Sequence, residues 1–129
     1  MKMLDQNDEA DTEVTWADQQ NINAFSRLNM KIQNLEDAYA ERKKEKEYLD
    51  DLSSELELAD EDELIPYRIG DAFVSLSLEA CLKRIEAEQG ELSSELETAS
   101  KKIDGIQAEM DKLKVVLYRK FGNSINLER

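Results

Sequence analysis

Apolar residues recur along the second half of the chain at alternating steps of four and three. The residues between them are mostly charged, and a narrow apolar stripe of this length is typical of a coiled-coil helix. Ser77 offers an N-cap and Gly122 a natural stop, so the pattern predicts a helix over residues 78–121. Eleven of the twelve positions in the stripe are apolar, Gln89 being the exception: Leu78, Leu82, Ile85, Gln89, Leu92, Leu96, Ala99, Ile103, Ile106, Met110, Leu113 and Leu117.

An earlier segment carries a second, less regular stripe. Residues 15–59 contain neither glycine nor proline, and Thr15 followed by Asp18 approximates a capping box at their start. The stripe weakens near Arg42 and resumes at Leu49 in a shifted phase. A slip of this kind changes the supercoiling locally without ending the helix, so we predict one helix over residues 15–59.

The two predicted helices have nearly equal lengths and are joined by a short segment, which favours antiparallel pairing. Aligning Leu56 with Leu82 also places Leu49 opposite Gln89, and the apolar stripes then face each other throughout. The sequence therefore predicts a mainly α fold, an antiparallel coiled-coil hairpin of helices that forms one domain over residues 15–121.

The joint between the helices has a strand-like pattern instead of a simple loop. Apolar residues alternate on both sides of Gly70-Asp71, a pair that fits a tight turn with glycine first. Pro66 cannot donate a ladder hydrogen bond, so it belongs at the start or the edge of a strand. This pattern predicts a β-hairpin over residues 64–76.

A lone two-stranded hairpin is marginally stable in water, and open apolar edges invite further pairing. We therefore expect several chains to combine their hairpins into a closed β-structure. The alternative is that the hairpin folds onto the base of its own helices. The residues predicted to build the shared β-structure are Ile65, Tyr67, Ile69, Phe73, Val74 and Leu76.

The apolar stripe widens where the first helix begins and the second ends. Two paired helices cannot cover apolar groups at so many angular positions, so some would face water or a partner. Such a surface would hold unfolded chains weakly and without sequence preference, because apolar burial is non-directional. Alternatively, these side chains wrap each other or the terminal tails. The predicted client-binding residues at this tip are Trp16, Ile22, Phe25, Val115, Val116, Tyr118 and Phe121.

Composition narrows the possible functions. The 129 residues include 17 basic and 30 acidic ones, giving a net charge of −13, with one cysteine and no histidine. Histidine-based catalysis and histidine metal ligands are thus excluded, and the charge opposes binding to nucleic acids or anionic membranes. No apolar run approaches the roughly 18 residues of a membrane span, and we expect no leader after Met1. We predict a soluble, intracellular, non-enzymatic protein without a cofactor or metal.

The chain ends are predicted to lie outside the paired helices. Residues 1–14 are acidic and poor in large aliphatic side chains, which is typical of a disordered tail. Residues 122–129 follow the helix stop at Gly122 and are predicted to form a C-terminal tail.

The hairpin sequence between two long helices, Ile65-Pro66-Tyr67-Arg68-Ile69-Gly70-Asp71-Ala72-Phe73-Val74, resembles the β-class subunits of the prefoldin family. The segments 15–25 and 117–128, with the acid-rich joint from Asp60, resemble one eukaryotic branch of that class. The resemblance covers about residues 14–129. The hairpin and C-terminal motifs are specific to the family, whereas the heptads between them are not.

The resemblance implies a cytoplasmic co-chaperone subunit. Two α-type and four β-type chains would form a heterohexamer with a β-barrel body and six coiled-coil arms. The tips would hold unfolded actin and tubulin and pass them to the chaperonin TRiC (CCT) without ATP hydrolysis. A hypothesis from another class is a structural coiled-coil adaptor between fixed partners, which needs neither an exposed apolar tip nor a shared barrel.

Overall fold

The computed structural model of the chain describes residues 2–3 and 13–128. A two-stranded antiparallel hairpin lies between two long helices along the chain, as the heptads and the alternating joint predict. The predicted fold class is therefore confirmed for the single chain. The chain divides into two compact units. Unit 1 combines Met1–Asp37 with Ser100–Arg129, and unit 2 is Ala38–Ala99. The elements are β1 (Lys2–Met3), α1 (Trp16–Leu56), β2 (Leu64–Ile69), β3 (Ala72–Ser77), α2 (Leu78–Phe121), a 3₁₀ turn (Gly122–Ser124) and β4 (Ile125–Asn126).

The observed element ends differ slightly from the predicted ranges. The first helix ends at Leu56 instead of residue 59. Backbone bonds from Leu58 N–H to the Glu55 carbonyl and from Ala59 N–H to the Leu56 carbonyl tighten the chain here into 3₁₀-type turns. The second helix begins at Leu78, and the Ser77 hydroxyl caps it by accepting a bond from the Ala80 N–H at 3.2 Å.

Unit 2 contains the hairpin, whose turn is Gly70-Asp71. Gly70 has a φ of +62°, a conformation that costs glycine little and permits the two-residue connection. Strand β2 pairs with β3 so that Tyr67 lies opposite Val74 and Arg68 opposite Phe73. The hydrophobic core of this unit consists of Leu49, Leu56, Tyr67, Leu78, Cys81, Ile85 and Leu92.

One face of the hairpin packs on the helices of its own unit. Tyr67 is 8% exposed, its hydroxyl donates to Glu88 Oε1 at 3.0 Å, and the Arg84 guanidinium lies 5.6 Å from its ring centre. Ile65 and Leu76 are partly buried against the same core. In the single chain these three residues are covered as the alternative expected, by the helix base of their own chain, because one apolar face of a small sheet needs cover. Their role in contacts between subunits stays a prediction.

The Tyr67–Glu88 hydrogen bond gives a testable result. Burial, followed by the bond to Glu88, raises the pKa of Tyr67 to about 12. The neutral phenol is thus favoured in the folded state, and its contribution to stability is lost as the pH rises from the ordinary value of 10.0 to about 12. We expect Tyr67→Phe to lower the free energy of unfolding at neutral pH by about 1 kcal/mol in urea titrations. This deficit should shrink above about pH 10.

Tyr48→Phe is the matched control, because Tyr48 is 66% exposed. It should leave the unfolding free energy unchanged at both pH values. An equal effect of the two substitutions would show that the Tyr67 hydroxyl has no special role in unit 2.

Unit 1 has its own core, formed by the first part of α1, the last part of α2 and the residues after Phe121. In the described part of this unit, the pairing of the helices agrees with the predicted antiparallel alignment, since the Lys120 ammonium contacts the Asp18 carboxylate across them. The core residues are Ile22, Phe25, Ile32, Ile106, Met110, Leu117, Phe121, Ile125 and Leu127.

The two predicted tails have different outcomes. Most of residues 1–14 lie outside the described residues, so the disordered acidic tail stays a prediction; the backbone of Lys2–Met3 pairs antiparallel with Ile125–Asn126. Residues 122–128 are described, and they comprise the 3₁₀ turn, β4 and two residues beyond it. Ile125 and Leu127 are part of the core of unit 1, each only 4% exposed.

Candidate functional site

The open end of unit 1, where α1 begins and α2 ends, carries an exposed apolar surface. On the last turns of α2, Leu117 belongs to the core and is fully buried. Neighbouring positions are turned away from the core, because successive helical residues are rotated by about 100°. We call the exposed set the open-end patch. Its members are Trp16 (79% exposed), Val115 (52%), Val116 (51%) and Tyr118 (38%).

The other three predicted client-binding residues are not on this surface. Ile22, Phe25 and Phe121 are between 1% and 4% exposed and belong to the core of unit 1. In the single chain they pack against each other and against the residues after the helix, as the alternative interpretation of the widened stripe expected, and their contact with clients stays a prediction. The seven residues do not form one exposed surface in this structure.

The residues after α2, here called the C-terminal segment (122–128), cover this cluster. Gly122 has a φ of +56°, which lets the chain turn at the helix end. Ile125 and Leu127 then point into the core, whereas Asn126 and Glu128 are exposed. Sequence reasoning treated this segment as a tail and missed its packing. The period-two alternation of Ile125 and Leu127 was the available signal.

The start of α1 is fixed by a reciprocal capping box. Thr15 N–H donates to Asp18 Oδ2 at 3.0 Å, and Asp18 N–H donates to Thr15 Oγ1 at 3.1 Å. Lys120 donates to the same Asp18 oxygen from α2. Asp18 is only 7% exposed, and Lys120, then the Thr15 N–H, holds the pKa of its carboxyl below the usual 3.8. The contact between Lys120 and Asp18 thus links the capping box of α1 to the end of α2.

This arrangement predicts a pH-dependent effect of Asp18→Asn. Because the folded-state pKa of Asp18 is lowered, its stabilisation is present above the ordinary value of 3.8 and is lost as the pH falls through the lowered value. The substitution should lower the thermal unfolding midpoint at about pH 7 and have little effect at about pH 2. Asp37→Asn, at an exposed position of the same helix, should change neither midpoint. A deficit for Asp18→Asn of equal size at both pH values would contradict this account.

A second candidate surface lies on the hairpin of unit 2. Within the described residues, β2 and β3 pair only with each other, so each strand has an open edge. Of the predicted assembly residues, Ile69 is 41%, Phe73 71% and Val74 39% exposed. Leu64, 65% exposed on the same sheet face as Phe73, was not among the predicted residues. Open edges and exposed apolar groups together leave this sheet able to accept further strands.

The part of the chain that the structure describes contains neither a candidate metal site nor a helix suited to span a membrane. There, no three or more aspartate, glutamate or cysteine side chains lie close enough to hold a metal ion. No helix in the same part has both the length and the apolar character that crossing a membrane requires.

Comparison with known proteins identifies the family. The family model described as "Prefoldin subunit" matches residues 19–124, which include both helices and the hairpin. The chain is a member of the prefoldin subunit family. Members of this family are chaperone subunits and not enzymes. As a member, this prefoldin subunit partners with other prefoldin subunits.

Individual relatives support the narrower resemblance. This prefoldin subunit is 41% identical to prefoldin subunit 4 of Saccharomyces cerevisiae over 129 residues, all of both chains. It is 40% identical to prefoldin subunit 4 of Homo sapiens over 119 residues, 92% of this chain and 89% of the human one. The predicted resemblance to the β-class and to its subunit 4 branch is confirmed.

A solved structure supports the fold. The prefoldin beta subunit from Thermococcus strain KS-1 superimposes with a TM-score of 0.78, covering 86% of this chain and 97% of that chain. The sequence identity is 10%, so the likeness concerns the fold alone: two helices with a β-hairpin between them.

Proposed function

We propose that this chain is a β-type subunit of a heterohexameric, ATP-independent prefoldin that holds unfolded proteins through the open-end patch. Two α-type and three further β-type subunits complete the hexamer, and the hairpins of all six form its β-barrel body. Unfolded actin and tubulin are the proposed clients, the chaperonin TRiC (CCT) is the proposed recipient, and the cytoplasm is the proposed location.

The observation that carries this proposal is the exposure of Trp16, Val115, Val116 and Tyr118 beside a closed core. Exposed apolar groups near the ends of both helices in a highly charged chain need a reason, and contact with apolar partners supplies one. Valine and aromatic side chains gain free energy on burial whatever the partner sequence. A surface of this kind fits weak, sequence-tolerant holding.

Basic residues beside the open-end patch give it a preference among unfolded segments. Residues 112–121 contain four basic residues and no acidic one, in a chain of net charge −13. Lys120 is bound to Asp18, but Lys112 and Arg119 are exposed on the turns that carry Val115 and Val116. Apolar groups interleaved with cations favour unfolded segments that are both apolar and acidic.

The open edges of β2 and β3 support the assembly part of the proposal. A strand edge with unpaired backbone groups is stabilised when another strand pairs with it. Unit 2 itself covers Ile65, Tyr67 and Leu76 on the inward face of the hairpin. Assembly would therefore use the edges, the outer face around Leu64 and Phe73, and the exposed Ile69 and Val74. This differs from the predicted set, in which Ile65, Tyr67 and Leu76 were also assigned to contacts between subunits.

The proposal is tested by mixing the purified chain with the other five prefoldin subunits and measuring the mass of the product under native conditions. We expect one stable complex that contains a single copy of this chain, and that suppresses aggregation of denatured actin without ATP. A stable homodimer that ignores the other subunits would favour the structural adaptor instead. A hexamer that fails to suppress aggregation would retain assembly and overturn client holding.

A further inference from the structure

The C-terminal segment is held at the open end in a conformation that unfolded chains also adopt. It leaves α2 through Gly122, passes a single 3₁₀ turn and becomes extended, with φ −133° and ψ 142° at Ile125. Buried and exposed residues then alternate from Ile125 to Glu128. Two apolar side chains separated by one polar residue thus enter the core from an extended backbone.

The contacts that hold this segment are of a general kind, and they include the antiparallel backbone pairing of Ile125–Asn126 with Lys2–Met3, which any extended segment could replace. Ile125 and Leu127 bury apolar surface against the cluster that contains Ile22, Phe25 and Phe121. The Leu127 N–H donates to the Tyr118 hydroxyl at 3.0 Å. Any peptide except one with proline at this position offers the same N–H, and apolar burial has no directional requirement. The site therefore fits an extended segment with apolar residues two apart, whatever its exact sequence.

We propose that the seat of the C-terminal segment is a second binding site for unfolded chains, occupied by the protein's own segment until a client displaces it. The ligand class is an extended polypeptide segment with apolar residues at positions i and i+2. Displacement exposes the part of the core that Ile125 and Leu127 complete around Phe121, and joins it to the open-end patch. This inference rests on the proposed holding function and specifies how part of the site opens.

The covalent connection explains why the site is occupied in the free chain. A tethered segment competes at an effective concentration in the millimolar range, so a free peptide of equal intrinsic affinity binds poorly. A client binds more tightly when it also contacts the open-end patch next to the site, because two linked contacts give a higher affinity than either contact alone. Weak single segments are thus rejected, whereas long unfolded chains are accepted.

The test uses the assembled complex with the full-length chain and a fluorescent peptide of the sequence of residues 122–129. In the variant Ile125→Ser/Leu127→Ser the segment no longer fills its seat. The peptide is expected to bind this complex at least tenfold more tightly than the wild-type complex, as measured by anisotropy. A peptide with serine in place of both apolar residues is the probe control and should bind neither complex.

The matched protein control is Asn126→Ser/Glu128→Gln, which changes the exposed residues of the same segment. It should bind the peptide as weakly as wild type. Equal binding by all three complexes, or no binding by Ile125→Ser/Leu127→Ser, would overturn the proposal. Because this readout needs no client, it separates failure of the second site from failure of client holding.

A measurement on the unmodified complex covers the case in which the variant loses its fold. Amide exchange of residues 123–128 is followed before and after addition of saturating unfolded actin. We expect the Leu127 amide, which is bonded to Tyr118, to exchange at least tenfold faster with client present. Unchanged or stronger protection with bound client would show that the segment stays seated and would refute displacement.

Discussion

Replacing Val115 and Val116 together with serine is expected to weaken the binding of unfolded actin to the complex by about thirtyfold. Each valine is about half exposed, so covering it by a client contributes about 1 kcal/mol, half of a full burial. Two such losses, about 2 kcal/mol, correspond to a factor of about 30 in the dissociation constant. The measurement is the concentration of complex that half-suppresses aggregation of diluted, denatured actin.

Met30→Ser is the matched control for this experiment. Met30 is 67% exposed on α1 in the same unit but lies outside the open-end patch. It should leave both suppression of aggregation and the mass of the complex unchanged. Full protection by the double valine variant would show that the patch does not hold clients. Phe121 is left out of the variant because it is 4% exposed, and its replacement would disturb the core.

Phe25→Ala is expected to have the largest effect on stability. Phe25 is 1% exposed, it lies in the core of unit 1, and the Lys114 ammonium is 5.9 Å from its ring centre. Truncating a buried phenylalanine costs about 3–5 kcal/mol, because the lost apolar contacts leave a cavity. Amide exchange in residues 19–30 should therefore accelerate by more than about a hundredfold, as 1.4 kcal/mol equals a factor of ten.

Two further variants separate the loss of the buried Phe25 side chain from the effect of any substitution in this stretch. Phe25→Leu keeps most of the apolar volume, so it should recover at least half of the lost protection. Met30→Ala removes an exposed side chain from the same stretch and should leave exchange unchanged. If Phe25→Ala exchanged no faster than Met30→Ala, the open end of unit 1 would lack the packed core described here.

The local elements were predictable because each rests on a local rule. The four-three alternation specifies one buried stripe on α2, and the structure buries Leu78, Ile85 and Leu117 from it. Gly70-Asp71 occupies the predicted two-residue turn, and Thr15 and Asp18 form the predicted capping box. In each case the physical reason lies within a few residues, so the pattern alone was sufficient.

The exposure of the site residues was not predictable in the same way. Phe121 and Val116 are both large apolar residues near the end of α2, yet one is buried and the other exposed. What separates them is the position of the C-terminal segment, whose Ile125 and Leu127 complete the core around Phe121. A periodic pattern indicates which side of a helix is apolar, but it does not name the segment that covers an additional apolar group. For the same reason, the sequence pattern did not decide whether the helices of the same chain cover Tyr67.

Site-specific photo-crosslinking shows directly whether the open-end patch touches a bound client. A benzophenone-bearing residue replaces Val116 in the open-end patch, or Glu79, whose side chain is 82% exposed in unit 2, as the matched control. Each complex is irradiated with unfolded actin bound. We expect a covalent adduct between actin and this chain from position 116 and none from position 79. Adducts from position 79 with none from position 116 would contradict client holding at the open-end patch.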